Sequence, residues 1–258
     1  MASYSPVRSV ERALRVLEEL NRTKVSTVAD LHLRTNLPKP TIVRLLQTLV
    51  QNGFVNHDVR QSGYRLTSKV MSLSSGFHSD PLVVEAGRAY AIAITKKMMW
   101  PASISILDGT SVVVRFSTIP DSPISPFHAT VNMRLSLDRH AMGLAYLAFC
   151  PIPERKILIQ SMREKNESIS RLTDETETVL LNRLSLIKRQ GFAERVLGEG
   201  MDNSNTIAVP IHGQARLLGA LGLTYFRSAV RHADAVREFL EPLQTAASHI
   251  SSNVTDLT

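Results

Sequence analysis

VSTVADLHLRTNLPKPTIVRLLQTLVQNGFVNHDVRQSGYRL, residues Val25–Leu66, is the stretch whose spacing decides the fold of the N-terminal region. Ile42, Leu45, Leu46, Leu49 and Val50 recur at helical intervals and form one apolar stripe, while Thr41, Arg44, Thr48 and Gln51 fall on the opposite side. Pro38 and Pro40 announce the start of this helix, because a first turn tolerates a missing N–H, and Gly53 supplies the left-handed residue that ends it. Before it, Thr27 with Asp30 has the spacing of a capping box that opens a shorter helix, with Val28, Leu31 and Leu37 as its apolar side and Thr35-Asn36-Leu37-Pro38 as the turn. After Gly53, residues Phe54–Leu66 alternate as two strands about a polar tip that carries Arg60. Upstream, Val10, Ala13, Leu14, Leu17 and Leu20 make a third helical stripe behind Ser9 as N-cap. Three helices and a basic hairpin predict a winged helix-turn-helix with a polar helix face suited to a DNA major groove. An ordinary amphipathic surface helix gives the same pattern for the central helix taken alone.

Charge is divided unevenly. Residues 1–79 hold 11 lysines and arginines against 5 carboxylates, whereas residues 80–258 hold 19 against 18, so most of the formal charge of +7 lies in the winged module. That asymmetry fits counterion release at a phosphate backbone. An anionic lipid surface fits the charge as well, but does not account for the polar helix face. The 258 residues exceed what a winged helix needs and leave room for one further domain with its own core. One cysteine, Cys150, rules out an internal disulfide framework or a multi-cysteine metal cluster. The N-terminus has no apolar signal core, and no window approaches the roughly 20 apolar residues that span a bilayer, so the reading is a cytoplasmic protein with no membrane partner. The chain has no Gly-x-Ser-x-Gly elbow, His-Glu-x-x-His pair or Walker loop, and Gly198-Glu199-Gly200 lacks the rest of a dinucleotide fingerprint. No catalytic residue, metal or cofactor is therefore expected, and Cys150, between Phe149 and Pro151, reads as an inert buried thiol.

The domain boundary is placed near Ser79-Asp80-Pro81, giving a DNA-binding domain over 1–67, a weak linker helix over 68–80 and a second domain over 81–258. Within the last, helices are expected over Leu82–Met99, His140–Cys150, Pro153–Lys165, Asp174–Gln190 and Ala233–Ser251. Strands are expected over Ser103–Leu107 and Val112–Phe116, joined by Asp108-Gly109, and over Thr206–Ile211 and Leu217–Tyr225. Hairpin-linked strands flanked by helices imply an α+β sensor domain with an antiparallel sheet rather than a doubly wound parallel one.

Several of these segments resemble the IclR family of bacterial transcriptional regulators. They are Ser9–Leu14, Leu37–Leu49, Gly63–Leu66, Arg171-Leu172-Thr173, Gly191-Phe192-Ala193 and Ile207-Ala208-Val209-Pro210. Met99-Trp100-Pro101 and Gly143–Pro151 are similar to the branch that activates degradation of 3-(3-hydroxyphenyl)propionate and related aromatic acids. The resemblance implies a GAF- or PAS-like effector domain, and a homodimer or dimer of dimers on a pseudo-palindromic double-stranded operator. Its effector is then a small aromatic or organic acid, with RNA polymerase as a further partner of an activator. It also assigns Thr27, Lys39, Thr41, Arg44, Thr48 and Arg60 to DNA, Arg12 to DNA phosphate or to another subunit, and His140, Met142, Gly143, Thr206, Gly222 and Thr224 to the effector pocket. Leu144 stands where many members carry lysine, and Gly222 where they carry small polar residues, which makes the pocket more apolar. A buried carboxylate wants a cation or several donors, for which Arg115 and Arg139 are the candidates, with ordinary surface ion pairs as the other reading of each, and Trp100 is either a stacking partner for an aromatic ring or plain core. The other readings are a repressor of a small organic-acid pathway, a DNA-tethered enzyme, and an architectural DNA binder.

Overall fold

The computed structural model describes residues 5–59, 62–76, 81–125, 129–165, 174–196 and 203–256. They form two compact units, the first essentially residues 1–79 and the second essentially residues 80–258.

The first unit contains α1 (Arg8–Asn21), α2 (Val28–Thr35), α3 (Lys39–Gln51), β1 (Val55–Asp58) and β2 (Gly63–Leu66). Its core is Val16, Leu20, Leu31, Leu37, Ile42, Leu46, Leu49 and Val55. The Thr27 capping box is complete, with Asp30 N–H donating to Thr27 Oγ1 at 3.1 Å and Thr27 N–H donating to Asp30 Oδ2 at 2.9 Å. Asn36 at φ 55° turns the chain out of α2, and Gly53 at φ +76° ends α3. The wing pairs Val55 with Leu66 through to Asp58 with Gly63, and a bridge from Ser26 to Tyr64 ties it to the segment before α2.

Three expectations for this unit change. Val10 and Leu14 are 54% exposed, and Val50 is 38% exposed. The apolar residues of α1 spread over more of the helix than the core can cover, so Val16 and Leu20 are buried with Ala13 and Leu17 partly so, while Val10 and Leu14 stay outside. α1 also begins at Arg8 behind Val7, which offers no side-chain cap, so Ser9 lies inside the helix rather than at its N-cap. In place of an α-helical linker, Ser68–Leu73 is a 3-10 helix. Its serines bond back to nearby carbonyls, Ser72 Oγ to Lys69 O at 2.7 Å and Ser75 Oγ to Ser72 O at 2.9 Å, in competition with helix formation. Residues 77–80 of the expected linker lie outside the described set.

The second unit is a six-stranded antiparallel sheet in the order β5-β4-β3-β8-β7-β6. Its strands are β3 (Ala102–Asp108), β4 (Ser111–Ser117), β5 (Arg134–Ser136), β6 (Ala193–Glu194), β7 (Ser204–His212) and β8 (Leu217–Phe226). α4 (Leu82–Met98) and α8 (His232–Asp256) cover one face, over Ile104, Ile207, Val209, Leu221, Leu223 and Tyr225. α5 (Ala141–Phe149), α6 (Ile152–Lys165) and α7 (Asp174–Gln190) cover the other, over Val112, Val114, Ala208 and Ala220. Every residue of α5 from Ala141 to Ala148 is buried, because the helix lies between the sheet and α7 and has no solvent side. Fully burying side chains such as Leu144 and Leu147 stabilises the unit by about 1.5–3 kcal/mol each. α5 approaches the end of β5 so closely that a Cβ on Gly143 would lie 2.1 Å from Ser136 O.

Replacing Gly143 by Ala is therefore expected to destabilise the second unit by about 3 kcal/mol or more, read as a lowered melting midpoint, because the obstacle is backbone. Thr27→Ala should cost about 1 kcal/mol in urea unfolding followed by helical circular dichroism. The Thr27 N–H and hydroxyl hold the Asp30 carboxyl below its ordinary pKa. That contribution is present above the ordinary aspartate range and is lost as pH falls through the lower folded value, so the gap between wild type and Thr27→Ala should narrow in acid, leaving the part due to the Asp30 N–H to Thr27 Oγ1 bond.

Candidate DNA interface and effector pocket

Burial of Ile42, Leu46 and Leu49 rotates Arg44, Gln47, Thr48 and Gln51 outward, with Lys39 and Pro40 exposed at the start of α3 and Thr41 half-buried. An open groove of about 810 Å³ runs between α3 and the first half of α1, lined by Arg8, Arg12, Arg44, Thr41, Gln47 and Gln51 among others. No aspartate or glutamate lines it, so its three guanidinium groups sum to a positive field suited to an anion. Arg12 is half-buried along this groove. The hydroxyl of Thr48 donates to Arg44 O at 3.0 Å, so its proton is committed within the helix. Thr27 is more strongly committed: its hydroxyl donates to Asp30 Oδ2 at 2.7 Å and accepts from Asp30 N–H, which leaves it a structural cap with no proton to offer a phosphate. Arg60 lies outside the described residues.

Arg8, Gln47 and Lys69 were not singled out in the sequence. The first two follow from extending the exposed face by helical steps from Arg12 and Arg44. The third depends on contacts, since Lys69 Nζ donates to Asn52 O at 2.9 Å and lies 5.0 Å over the Phe54 ring, placing a cation at the C-terminal end of α3.

In the second unit the sheet face toward α5 and the start of that helix together carry most of the effector residues expected from the sequence. Thr206 pairs with Thr224 and Ala208 with Gly222 across the β7–β8 ladder, and Ser103 pairs with Gly222 from the other side. Antiparallel partners share a face, so these residues line up beneath the start of α5. The Thr206 and Thr224 hydroxyls are 2.9 Å apart, and the row continues through Ser103, Ser117 and Thr130, with Ser103 Oγ 3.3 Å and Thr130 Oγ1 3.0 Å from Ser117 Oγ. Met142 lies over Gly222, where an added Cβ would sit 3.0 Å from Met142 Cγ. His140 occupies the N-cap position of α5 without capping it, and its Nδ1 accepts from Ser136 N–H at 3.2 Å, which puts the neutral ring's proton on Nε2.

Four selected residues stand apart from this cluster. Trp100 is buried on the opposite face, edge-on to Tyr225 and Phe226 at 6.5 and 5.9 Å between ring centroids, where it packs in the α4–α8 core. Gly143 is closed off on the side of its missing Cβ by the Ser136-Leu137 backbone, so it offers a ligand no side-chain surface. Arg115 is the extra residue at the bulge between β3 and β4, and its guanidinium donates to Asn132 Oδ1 at 3.2 Å. Arg139 precedes α5 and faces Asp138 at 3.8 Å. A separate groove of about 700 Å³, lined by Leu82, Tyr146, Glu154, Arg216 and Leu218 among others, includes none of the selected residues.

Among the described residues neither Cys150 nor Tyr146 is activated as a nucleophile. Burial pushes the Cys150 thiol up to about 11, and its Sγ–H donates to Leu147 O. Burial and the Glu154 carboxylate raise the pKa of Tyr146, whose hydroxyl donates to Glu154 Oε1 at 2.7 Å. Among the described residues no group of three or more His, Cys, Asp or Glu is placed to hold a metal, and no helix is long and apolar enough to cross a membrane. Thiol titration of the native protein near neutral pH is accordingly expected to show no rapidly reacting cysteine, with one appearing on unfolding.

Residues 9–59 match the IclR helix-turn-helix domain, and residues 89–252 match the bacterial transcriptional regulator IclR C-terminal domain. The HTH-type transcriptional regulator XynR of Escherichia coli (strain K12) is 23% identical over 247 residues, covering 95% of this chain and 96% of the relative. The Pca regulon regulatory protein of Pseudomonas putida is 27% identical over 255 residues, covering 93% of this chain and 81% of the relative. The fold is also similar to that of an IclR homologue from Microbacterium hydrocarbonoxydans solved in complex with 4-hydroxybenzoate. That structure has a TM-score of 0.59 at 19% identity, covering 95% of this chain and 98% of that one. Matched to the family across both units, the chain belongs to the IclR family of transcriptional regulators, DNA-binding proteins with a C-terminal effector domain rather than enzymes.

Proposed function

We propose that this regulator is a cytoplasmic, acid-responsive activator of an aromatic-acid catabolic operon. It binds a pseudo-palindromic operator as a homodimer or dimer of dimers and acts on RNA polymerase there. The observation that carries the choice of ligand is the pairing of Met142 over Gly222 with the hydroxyl row of Thr206 and Thr224. The thioether offers an apolar, adaptable surface for a ring, and the hydroxyls offer donors and acceptors for its polar substituents. Glyoxylate and similar acids have no ring to place against Met142.

The carboxylate is held at the start of α5. The first amides of a helix have no partner inside it, and the nearest intrahelical bond, Leu144 N–H to His140 O at 2.8 Å, begins only after them. Arg139 adds positive potential at that end while it stays beside Asp138. Arg115 is occupied by Asn132 and lends support from the sheet. The relatives point the same way, since one regulates a Pca regulon and a protein of similar fold was solved with 4-hydroxybenzoate. In the first unit, Lys39, Arg12 and Arg44 contact phosphates or base edges, Thr41 and Thr48 pack against the DNA backbone from the flank of α3, and Arg60, which lies outside the described residues, is the remaining contact. The effector acts only to the extent that it binds one arrangement of the units more tightly than another.

A thermal-shift screen tests the ligand class. Hydroxylated benzoates and phenylpropionates at about 100 times their Kd should stabilise the protein by about 2.7 kcal/mol, and glyoxylate should leave it unmoved. Thr206→Val should weaken the response about tenfold through one lost hydrogen bond. A shift with glyoxylate alone would replace this reading with that of a repressor of small organic-acid metabolism. On the DNA side, Arg44→Ala is expected to weaken promoter binding in footprints and to reduce its salt dependence.

A further inference from the structure

Among the residues of α3 turned away from the core, side-chain chemistry separates those that can read a base from those that position the helix. Arg44 offers donors only, as does Lys39. The hydroxyl of Thr48 is turned back to Arg44 O, and Thr41 is half-buried. Gln47 and Gln51 are exposed, and neither has a hydrogen-bond partner among the described residues. A glutamine amide presents a donor and an acceptor side by side, the complement of the N6–N7 edge of adenine in the major groove. At about 100° per residue, Gln47 lies about 60° around the helix from Arg44 and one turn beyond it, on the side opposite Ile42 and Leu46. Gln51 is the last residue of α3, next to Asn52, whose carbonyl already binds Lys69. Helix-turn-helix proteins touch base edges with the N-terminal part of the recognition helix, and Gln47, though in the second half of α3, lies one turn nearer to that part than Gln51.

We propose that Gln47 is the sequence-specificity residue of this regulator and reads one adenine in each half-site by paired hydrogen bonds to N6 and N7. The arginines of the α1–α3 groove supply the sequence-independent hold on the phosphates. The assignment rests on α3 being the helix that enters the major groove.

The test is selection of duplexes from a randomised library by the full-length protein, comparing wild type with Gln47→Ala, Gln47→Glu and Gln51→Ala. The wild-type motif should contain a symmetric adenine preferred by about 5- to 150-fold over other bases. Gln47→Ala should flatten that position while leaving the preferences at the other positions of the motif and the melting midpoint unchanged. Gln47→Glu should move the preference toward cytosine, whose N4 amine a carboxylate accepts, and Gln51→Ala should retain the wild-type motif. An unchanged motif in Gln47→Ala, or loss of the adenine in Gln51→Ala instead, overturns the assignment while leaving α3 as the reading helix. A wild-type protein that enriches no motif overturns both.

Discussion

A sheet that is apolar on both faces must be covered on both, and that requirement organises the effector unit. β7 and β8 place Ile207, Val209, Leu221 and Leu223 against α4 and α8, and Ala208 and Ala220 against α5. Small residues on the second side let α5 lie close to the strands, and Gly143 lets its first turn pass the end of β5. The helix so placed is buried all round, and its start, with its unpartnered amides, is held over a row of hydroxyls rather than over more core. That polar island in an otherwise dry layer is what the proposed ligand, a ring with polar substituents, would meet.

The DNA-binding unit solves a different problem with fewer residues. A small core of about eight side chains fixes the rotation of α3, and rotation alone determines which residues reach outward. Caps at both ends limit the helix to its working length, with Pro40 in its first turn and Gly53 past its end. Among the described residues no carboxylate lines the α1–α3 groove beside Arg8, Arg12 and Arg44, which gives it the positive potential that the proposed phosphate contacts would use.

Local signals were the most legible. The Thr27–Asp30 box, the Pro38–Pro40 start, the Asp108–Gly109 hairpin and the long helices act within a few residues of themselves, and the structure carries each of them. β5 and β6, of three and two residues, were not legible, because strands that short exist only through the partner that pairs them. The stripe on α1 was read too broadly, since periodicity marks an apolar face but not how far the core extends beneath it. The site divided along the same line: Met142, Thr206, Gly222 and Thr224 came together, while Trp100 fell on the other face of the sheet.

Sequence alone determined the long helices, the four longer strands of the second unit, the family and the concentration of positive charge in the first unit, because each depends on neighbours along the chain or on summed composition. Tertiary structure decided which face of the sheet each residue joins, which donors remain free on α3, and which glycine lies under Met142 and which against a backbone. Those outcomes depend on strand parity, helix rotation and close approach between distant segments, none of which has a local signature.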